Sequence, residues 1–573
     1  MKSIKEKLKS IIKKPGFKIA IINIIIFAIC NMIYSLKYEQ VDDMIIYGLY
    51  SGLDGTYNIY GVYIHPFICA ILSILYRIIP VINWHTIFLL SMQFICFSVI
   101  GTILVNRNNS QKSYIMYTIF ASVCYTAVLL LIQYTSVSAL LIATAFFIIF
   151  DMIEQNRKSK KRLIFASILF AIGIMTRMQT ILIIAPFFAI YLIYKFGKYI
   201  INKTEENKKN IQELLKEYVV LVIIAIIVYG SNVLIYNTNE TYKNYIEYNN
   251  LRAELQDLSY TNYEGNKKIF DEIGWSKNDH YLFYTFNYGD ENVYSKENLQ
   301  KIINYKKENG EKYNLNKDIN DVWDSLLEQL KGSNKYISIL FFATFILAIY
   351  TNDKSKFFIT FIMLTTIAVN VLFVVLNRAM LRVVIPEYII GTAIMLYLTK
   401  YKKQEERKEI YGIIAIIILL SITFCGDIYN FEYDFSSYKN YQDVIEYTNS
   451  HKENTYLYTA PAMQFRYLAY PVYTMPPKGA FSNLRVMGGW DIFTQNYYDF
   501  KQKNNLEGTF LDLLKDNVYL IDGDVNWSGT YYKNYKKNII EFIEQHYGKN
   551  VKCEKIKTFE NIYIYKLTED NIN

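Results

Sequence analysis

The sequence predicts an α-helical polytopic membrane protein of about eleven transmembrane helices, amino terminus inside, with a C-terminal extracytoplasmic α/β domain. Three observations carry this. Of 573 residues, 52% are hydrophobic, and they bunch into runs such as "IINIIIFAI" (21–29) and "IIAIIILL" (413–420). Apolar stretches near the length that crosses a bilayer recur from end to end. Lys and Arg gather in alternate turns between them, as topology requires. With only 24 Gly and nine Pro, collagen-like and low-complexity disordered chains are excluded.

The first span, 17–36, is too long for a cleavable signal, and no small-residue cleavage site follows it. Further spans are read at 84–105, 114–132, 136–152, 163–176, 180–196, 218–236, 335–350, 357–376, 383–399 and 410–427. Lys2, Lys5, Lys7, Lys9, Lys13, Lys14 and Lys18 put the amino terminus on the cytoplasmic side. The turns 106–112, 156–162, 197–217, 351–356 and 400–408 are then cytoplasmic, and each is basic. The outer turns "QYTS" (133–136), "RMQ" (177–179) and "NRAMLR" (377–382) hold only Arg177, Arg378 and Arg382. "HPFICAILSILYRIIP" (65–80) is short and contains Arg77, and a crossing there would invert every later loop. It reads as an interfacial helix, which makes 37–83 one outer loop and 237–334 a second.

Residues 1–427 thus form a transmembrane domain and 428–573 the outer α/β domain. Within the latter, "NTYLYTAP", "NVYLID" and "ENIYIYKL" read as strands, and "YKNYQDVIEYTNSH" and "YYKNYKKNIIEFIEQHYG" as helices. No internal repeat is visible. The net charge of +9 serves orientation rather than nucleic-acid binding. Of six cysteines, five lie in or beside apolar stretches with no CxxC spacing, so neither a disulfide framework nor a zinc site is supported. No HExxH, Walker A or GxSxG motif stands out. "DGDVN" (522–526) is too short for a calcium loop, and the Asn526-Trp-Ser528 sequon is a match cheap by chance.

Chemistry concentrates at a few outer positions. Asp42 and Asp43 follow the first span. Adjacent acids near hydrocarbon are costly without work or partners, and they can divide labour between proton transfer and orientation. The bland reading of the local sequence is a solvated loop start that happens to carry two acids. Arg378 and Arg382, four apart, share a face if the helix begins early, and a guanidinium pair suits a phosphate. Arg177 ends another span at similar depth, and snorkelling to headgroups accounts for a single arginine of this kind. His65, before Pro66, contacts a substrate or caps and packs its helix. Tyr47, Tyr50, Tyr57, Tyr60 and Tyr63 form an interfacial belt or a sugar-stacking surface. Trp275, Trp490 and Trp527 either stack on glycan or pack in the core.

An acidic pair after the first span, an aromatic stretch, a His-Pro start to a juxtamembrane helix and a later arginine turn occur here in that order. They are Asp42-Asp43, "YGLYSGLDGTYNIYGVY", His65-Pro66, and Arg378 and Arg382 with Pro386. In this the chain resembles the GT-C superfamily of integral-membrane glycosyltransferases, among them protein O-mannosyltransferases and lipid A aminoarabinose transferases. Arg177, Gln179 and Pro186 are similar to the short polar turn before another span in such proteins. It departs from many relatives in having Asp43 where they carry Glu and Phe67 where a second proline is common, and no WWD signature of Asn-glycosylating enzymes is present.

The resemblance implies a glycosyltransferase of the cell membrane whose catalytic face is extracytoplasmic. It would move a sugar from a polyprenyl-phosphate donor to a cell-envelope acceptor (polymer, lipid or protein) with inversion and without cofactor or metal. It implies Asp42 and Asp43 as catalytic, with Asp42 the base. Arg378, Arg382 and Arg177 would hold the donor phosphate, and His65, Tyr63 and Gln179 would contact substrate. Two alternatives stand beside it: a polysaccharide polymerase or ligase using a lipid-pyrophosphate oligosaccharide, and a non-enzymatic lipid or glycan transporter.

Overall fold

The computed structural model describes residues 13–108, 110–258, 260–309, 319–332, 334–400, 418–419, 421–423, 438–527, 530–532 and 535–570. Lys2, Lys5, Lys7 and Lys9, most of the span read at 410–427, the basic turn beyond Lys400 and Ser528 of the sequon lie outside the described residues.

Helix α1 (Pro15–Ile33) opens with a proline in its first turn, where a missing N–H costs nothing. Strand β1 (Lys37–Tyr38), α2 (Asp42–Ser51) and α3 (Pro66–Ile78) make up the connection from α1 to the next long helix. Then come α4 (Trp84–Asn108), α5 (Gln111–Leu130), β2 (Leu131–Ile132), α6 (Tyr134–Glu154), α7 (Lys160–Thr176), α8 (Ile181–Ile201) and α9 (Glu205–Asn237). The polar region 237–334 carries α10 (Glu240–Ala253), α11 (Lys267–Glu272), α12 (Lys277–Tyr284), α13 (Lys296–Glu308) and α14 (Ile319–Lys331). Helices α15 (Lys335–Thr351), α16 (Lys356–Val375) and α17 (Leu381–Leu398) return to the bundle.

Among the described residues, eight helical segments are long and apolar enough to cross a membrane. These are α1, α4, α5, α6, α8 with the turn before it, α9, α16 with the turn before it, and α17. At 17 residues each, α7 and α15 are a little shorter, and α14 meets α15 at a bend of 93°. Helix α6 is the central element, buried throughout its apolar window. Helix α9 is the opposite: Val219, Val222, Ile223, Ile226 and Ile227 are all exposed. An apolar face of that extent is not stable against water and fits a lipid environment. Helix α3 exposes a similar stripe, Phe67, Ile71, Ile74 and Ile78, at helical spacing while Cys69, Leu72 and Tyr76 pack inward. A helical polytopic membrane protein accounts for this distribution.

The tail comprises α18 (Tyr438–Ser450), β3 (Thr455–Tyr458), α19 (Gln464–Leu468), β4 (Leu484–Val486), α20 (Gln495–Lys503), β5 (Val518–Gly523), a hairpin of β6 (Val525–Trp527) and β7 (Thr530–Tyr532), α21 (Lys536–Tyr547), β8 (Val551–Phe559) and β9 (Ile562–Glu569). Five strands join in the order β4-β3-β5-β9-β8. β3 runs parallel to β4 and β5, while β9 is antiparallel to β5 and β8.

Among the described residues, the tail shares its apolar clusters with other parts of the chain. Trp275, Phe283 and Tyr294 of the polar region 237–334 pack in one cluster with Phe510, Leu520 and Phe542 of the tail. Trp275 is 1% exposed and donates its indole N–H to Val293 O at 3.0 Å, so it belongs to that core and not to a sugar platform.

One buried acid makes the sheet pH-sensitive. Asp522 on β5 accepts from Thr459 Oγ1 at 2.7 Å and from the Lys536 backbone N–H at 2.8 Å, and burial pushes its carboxyl up to about 6. The folded chain therefore holds this proton more tightly than the unfolded chain. Its contribution to stability is complete below the ordinary aspartate range and is lost as pH rises through about 6, a change of roughly 3 kcal/mol. Relative to Asp522→Asn, the wild-type melting temperature is expected to fall across that interval in a pH series. A pH-independent difference would show that Asp522 does not titrate there.

Candidate functional site

The chain leaves α1 and is caught at once. β1 pairs in parallel with β2, Lys37 opposite Leu131 and Tyr38 opposite Ile132, and the Glu39 N–H donates to Ile132 O. This two-residue ladder lays the start of the 37–83 connection against the junction of α5 and α6. Helix α2 begins at Asp42, so both acids sit in its first turn, where the helix dipole favours negative charge.

Their environments then diverge. Asp43 is fully buried. Its Oδ1 accepts from His85 Nε2 at 2.9 Å and from the Tyr134 backbone N–H at 3.2 Å. His85 Nδ1 lies 2.5 Å from the Tyr50 hydroxyl. The imidazole thus bridges the Asp43 carboxyl and the Tyr50 hydroxyl. Burial raises the Asp43 carboxyl above the usual range, and the His85 contact opposes this. Asp42 is half-buried, and its Oδ1 accepts from Trp490 Nε1 at 3.0 Å. Among the described residues its Oδ2 takes no hydrogen bond.

Basic groups converge on the same place. Arg177 Nη1 donates to Tyr134 Oη at 2.5 Å and to Thr135 Oγ1 at 2.8 Å, with its guanidinium over the Tyr134 and Tyr63 rings. Arg382 pairs with buried Glu39 at 3.5 Å and attracts Asp42 across the site. Ser136 Oγ donates to Arg382 O at 3.1 Å, fixing the start of α17 against the start of α6. Arg378 sits 4.0 Å from Asp257, which also pairs with Arg252 at 3.3 Å. Burial holds Arg378 below the usual arginine range; Asp257 opposes that, while Arg177, Arg382 and Arg252 reinforce it. Four guanidinium groups thus gather with four carboxylates, Glu39, Asp42, Asp43 and Asp257. Guanidinium forks so placed suit an anion with several acceptor oxygens.

Tyr63 lies inside this cluster, stacked on Tyr134 at 6.2 Å and edge-on to Trp490 at 4.9 Å. His65 does not. Its Nδ1 accepts from the Phe67 N–H at 3.1 Å as a helix cap, and its Nε2 meets Ser231 Oγ on α9 at 3.1 Å. Gln179 is exposed and makes no side-chain hydrogen bond among the described residues. A cavity of about 460 Å³ borders the arginine turn, lined by Asn377, Met380 and Leu381 and by Glu328 and Gln329 of α14; Asp42 does not line it.

The tail is clamped over the site. Arg466 pairs with Asp54 at 2.6 Å, Thr86 Oγ1 donates to Val472 O at 2.7 Å, and Tyr245 Oη donates to Trp490 O at 2.7 Å. Trp490 is delivered by Gly488 and Gly489. A Cβ on Gly488 would overlap the Phe286 carbonyl, and Gly489 has φ +88°, so this close approach needs glycine at both positions.

Sequence reasoning missed His85, Glu39, Arg252, Asp257 and the contact of Trp490 with Asp42. A histidine at the start of an apolar span was a usable signal, since ionisable groups there need partners. The paired glycines before Trp490 were another. No protein-family model and no curated protein matches this chain.

Proposed function

We infer that the chain is a membrane glycosyltransferase of the GT-C type. It crosses the membrane about eleven times, with the Asp42 site and the sheet-bearing tail outside the cell. It transfers a sugar from a polyprenyl-phosphate donor to a cell-envelope acceptor with inversion. The observation that carries this reading is the meeting of a hydrogen-bonded, half-open carboxylate with a cluster of arginines at one end of the bundle.

Asp42 is the base. Its free Oδ2 takes the proton of an acceptor hydroxyl as that oxygen attacks the anomeric carbon and the bond from that carbon to the phosphate oxygen breaks. Asp43 is sealed by His85 and Tyr134 and serves to hold the first turn of α2 in place. The departing polyprenyl phosphate takes the electron pair of the broken bond. Arg382, Arg177 and Arg378 favour that charge more in the transition state than in the bound donor.

The test is a donor assay with the purified chain in proteoliposomes, supported by mass spectrometry of envelope glycans from cells with and without the protein. Transfer from a monosaccharide polyprenyl phosphate is expected. Transfer only from an oligosaccharide pyrophosphate would assign a polymerase or ligase, and no transfer with unchanged glycans would remove the enzyme reading. Trp490→Phe keeps the ring and removes the hydrogen bond to Asp42, which at about 1.5–3 kcal/mol for a charged acceptor predicts a rate loss of roughly tenfold or more. Unchanged turnover in the same assay would separate the tail from the chemistry.

A further inference from the structure

The other end of the bundle holds a second cavity. His85 and Arg107 lie on the same helix, about 33 Å apart at roughly 1.5 Å per residue. Around Arg107, at the ends of α4 and α6 and the start of α7, is a cavity of about 430 Å³. Its walls are of two kinds. Val99, Ile103, Ile148 and Phe165 are apolar, and Phe165 continues on the surface of α7 into exposed Ile164 and Ile168. Arg107, Arg157 and Arg162 supply the polar rim.

The charges there are not balanced. Asp151 faces the cavity, but Arg162 pairs with it at 2.6 Å and Tyr397 Oη donates to it at 2.9 Å. Arg107 lies over the Tyr397 ring at 5.1 Å, and Arg157 is exposed. Among the described residues no carboxylate pairs with either of these two guanidinium groups.

We propose that this cavity binds the headgroup and upper acyl chain of an anionic glycerophospholipid from the leaflet opposite the Asp42 site. The phosphate meets Arg107 and Arg157, and a chain follows Phe165 and Ile168 into the bilayer. A soluble anion has no use for the apolar wall. A zwitterionic lipid brings its own cation to a rim that already has excess positive charge. The neighbouring turns 106–112 and 156–162 are rich in Lys and Arg, as at a leaflet bearing anionic lipids. The site is independent of glycosyl transfer, and its test does not read turnover.

The full-length protein is reconstituted in nanodiscs containing equal phosphatidylglycerol and phosphatidylcholine, then released into mild detergent for native mass spectrometry. Preferential retention of phosphatidylglycerol is expected. Arg107→Gln or Arg157→Gln should each lower that preference about fivefold, and the pair on the order of 30-fold, the size expected for arginines at a membrane surface. Equal retention of the two lipids by the wild type overturns the proposal, and this arm stands even if the double variant does not fold. Undiminished preference in a folded double variant also overturns it. Thermal stabilisation by glycerol 1-phosphate equal to that by the lipid would overturn the lipid assignment.

Discussion

If the proposed function holds, Asp42→Asn is expected to abolish sugar transfer while the protein still inserts and melts as the wild type does. Asparagine is nearly isosteric and keeps an oxygen for the Trp490 N–H, so the contact at 3.0 Å survives. What it lacks is the basicity of Oδ2. Loss of a positioned general base typically costs about 10²–10⁴ in rate. The measurement is turnover of a polyprenyl-phosphate sugar, with a thermal melt of the same preparation. Asp43→Asn provides the contrast. It strips His85 of a buried carboxylate and is expected to lower the melting temperature, which Asp42→Asn does not. Turnover within tenfold of wild type in Asp42→Asn would discard Asp42 as the base.

Arg382→Ala is expected to reduce kcat/KM for the donor by roughly 10²–10³, the typical cost of removing one well-placed donor to a developing anion. The acceptor's KM should move far less. Arg382 is also the partner of Glu39, which burial already pushes above the usual glutamate range. The substitution leaves that carboxyl buried without its cation, so some loss of stability accompanies the kinetic effect. The double variant Arg382→Ala with Glu39→Gln relieves the second effect and not the first. Equal losses for donor and acceptor would remove Arg382 from the phosphate site.

The membrane helices were legible because their signal is local. Each apolar run states its own length, and helices α4, α6 and α17 occupy the places read from hydropathy within a few residues. A short apolar helix within 65–80 was legible from the length of its apolar run, and α3 has 13 residues. Tyr63 and Arg177 were named from sequence and lie in one cluster, whereas His65, named with them, turns its ring to Phe67 and Ser231. A His-Pro pair looks the same in sequence whether the ring caps its own helix or reaches outward.

The amino-acid sequence alone determined the apolar spans, the alternation of basic turns and the placing of two acids and three arginines at the same ends of those spans. These follow from composition within windows of about twenty residues. Only the tertiary structure decided which acid is sealed and which is open. His85 reaches Asp43 across 42 positions of chain, Arg382 reaches Glu39 across 343, and Trp490 reaches Asp42 across 448. Such contacts depend on how the helices pack and on where the tail closes over them, and no local pattern of residues records that.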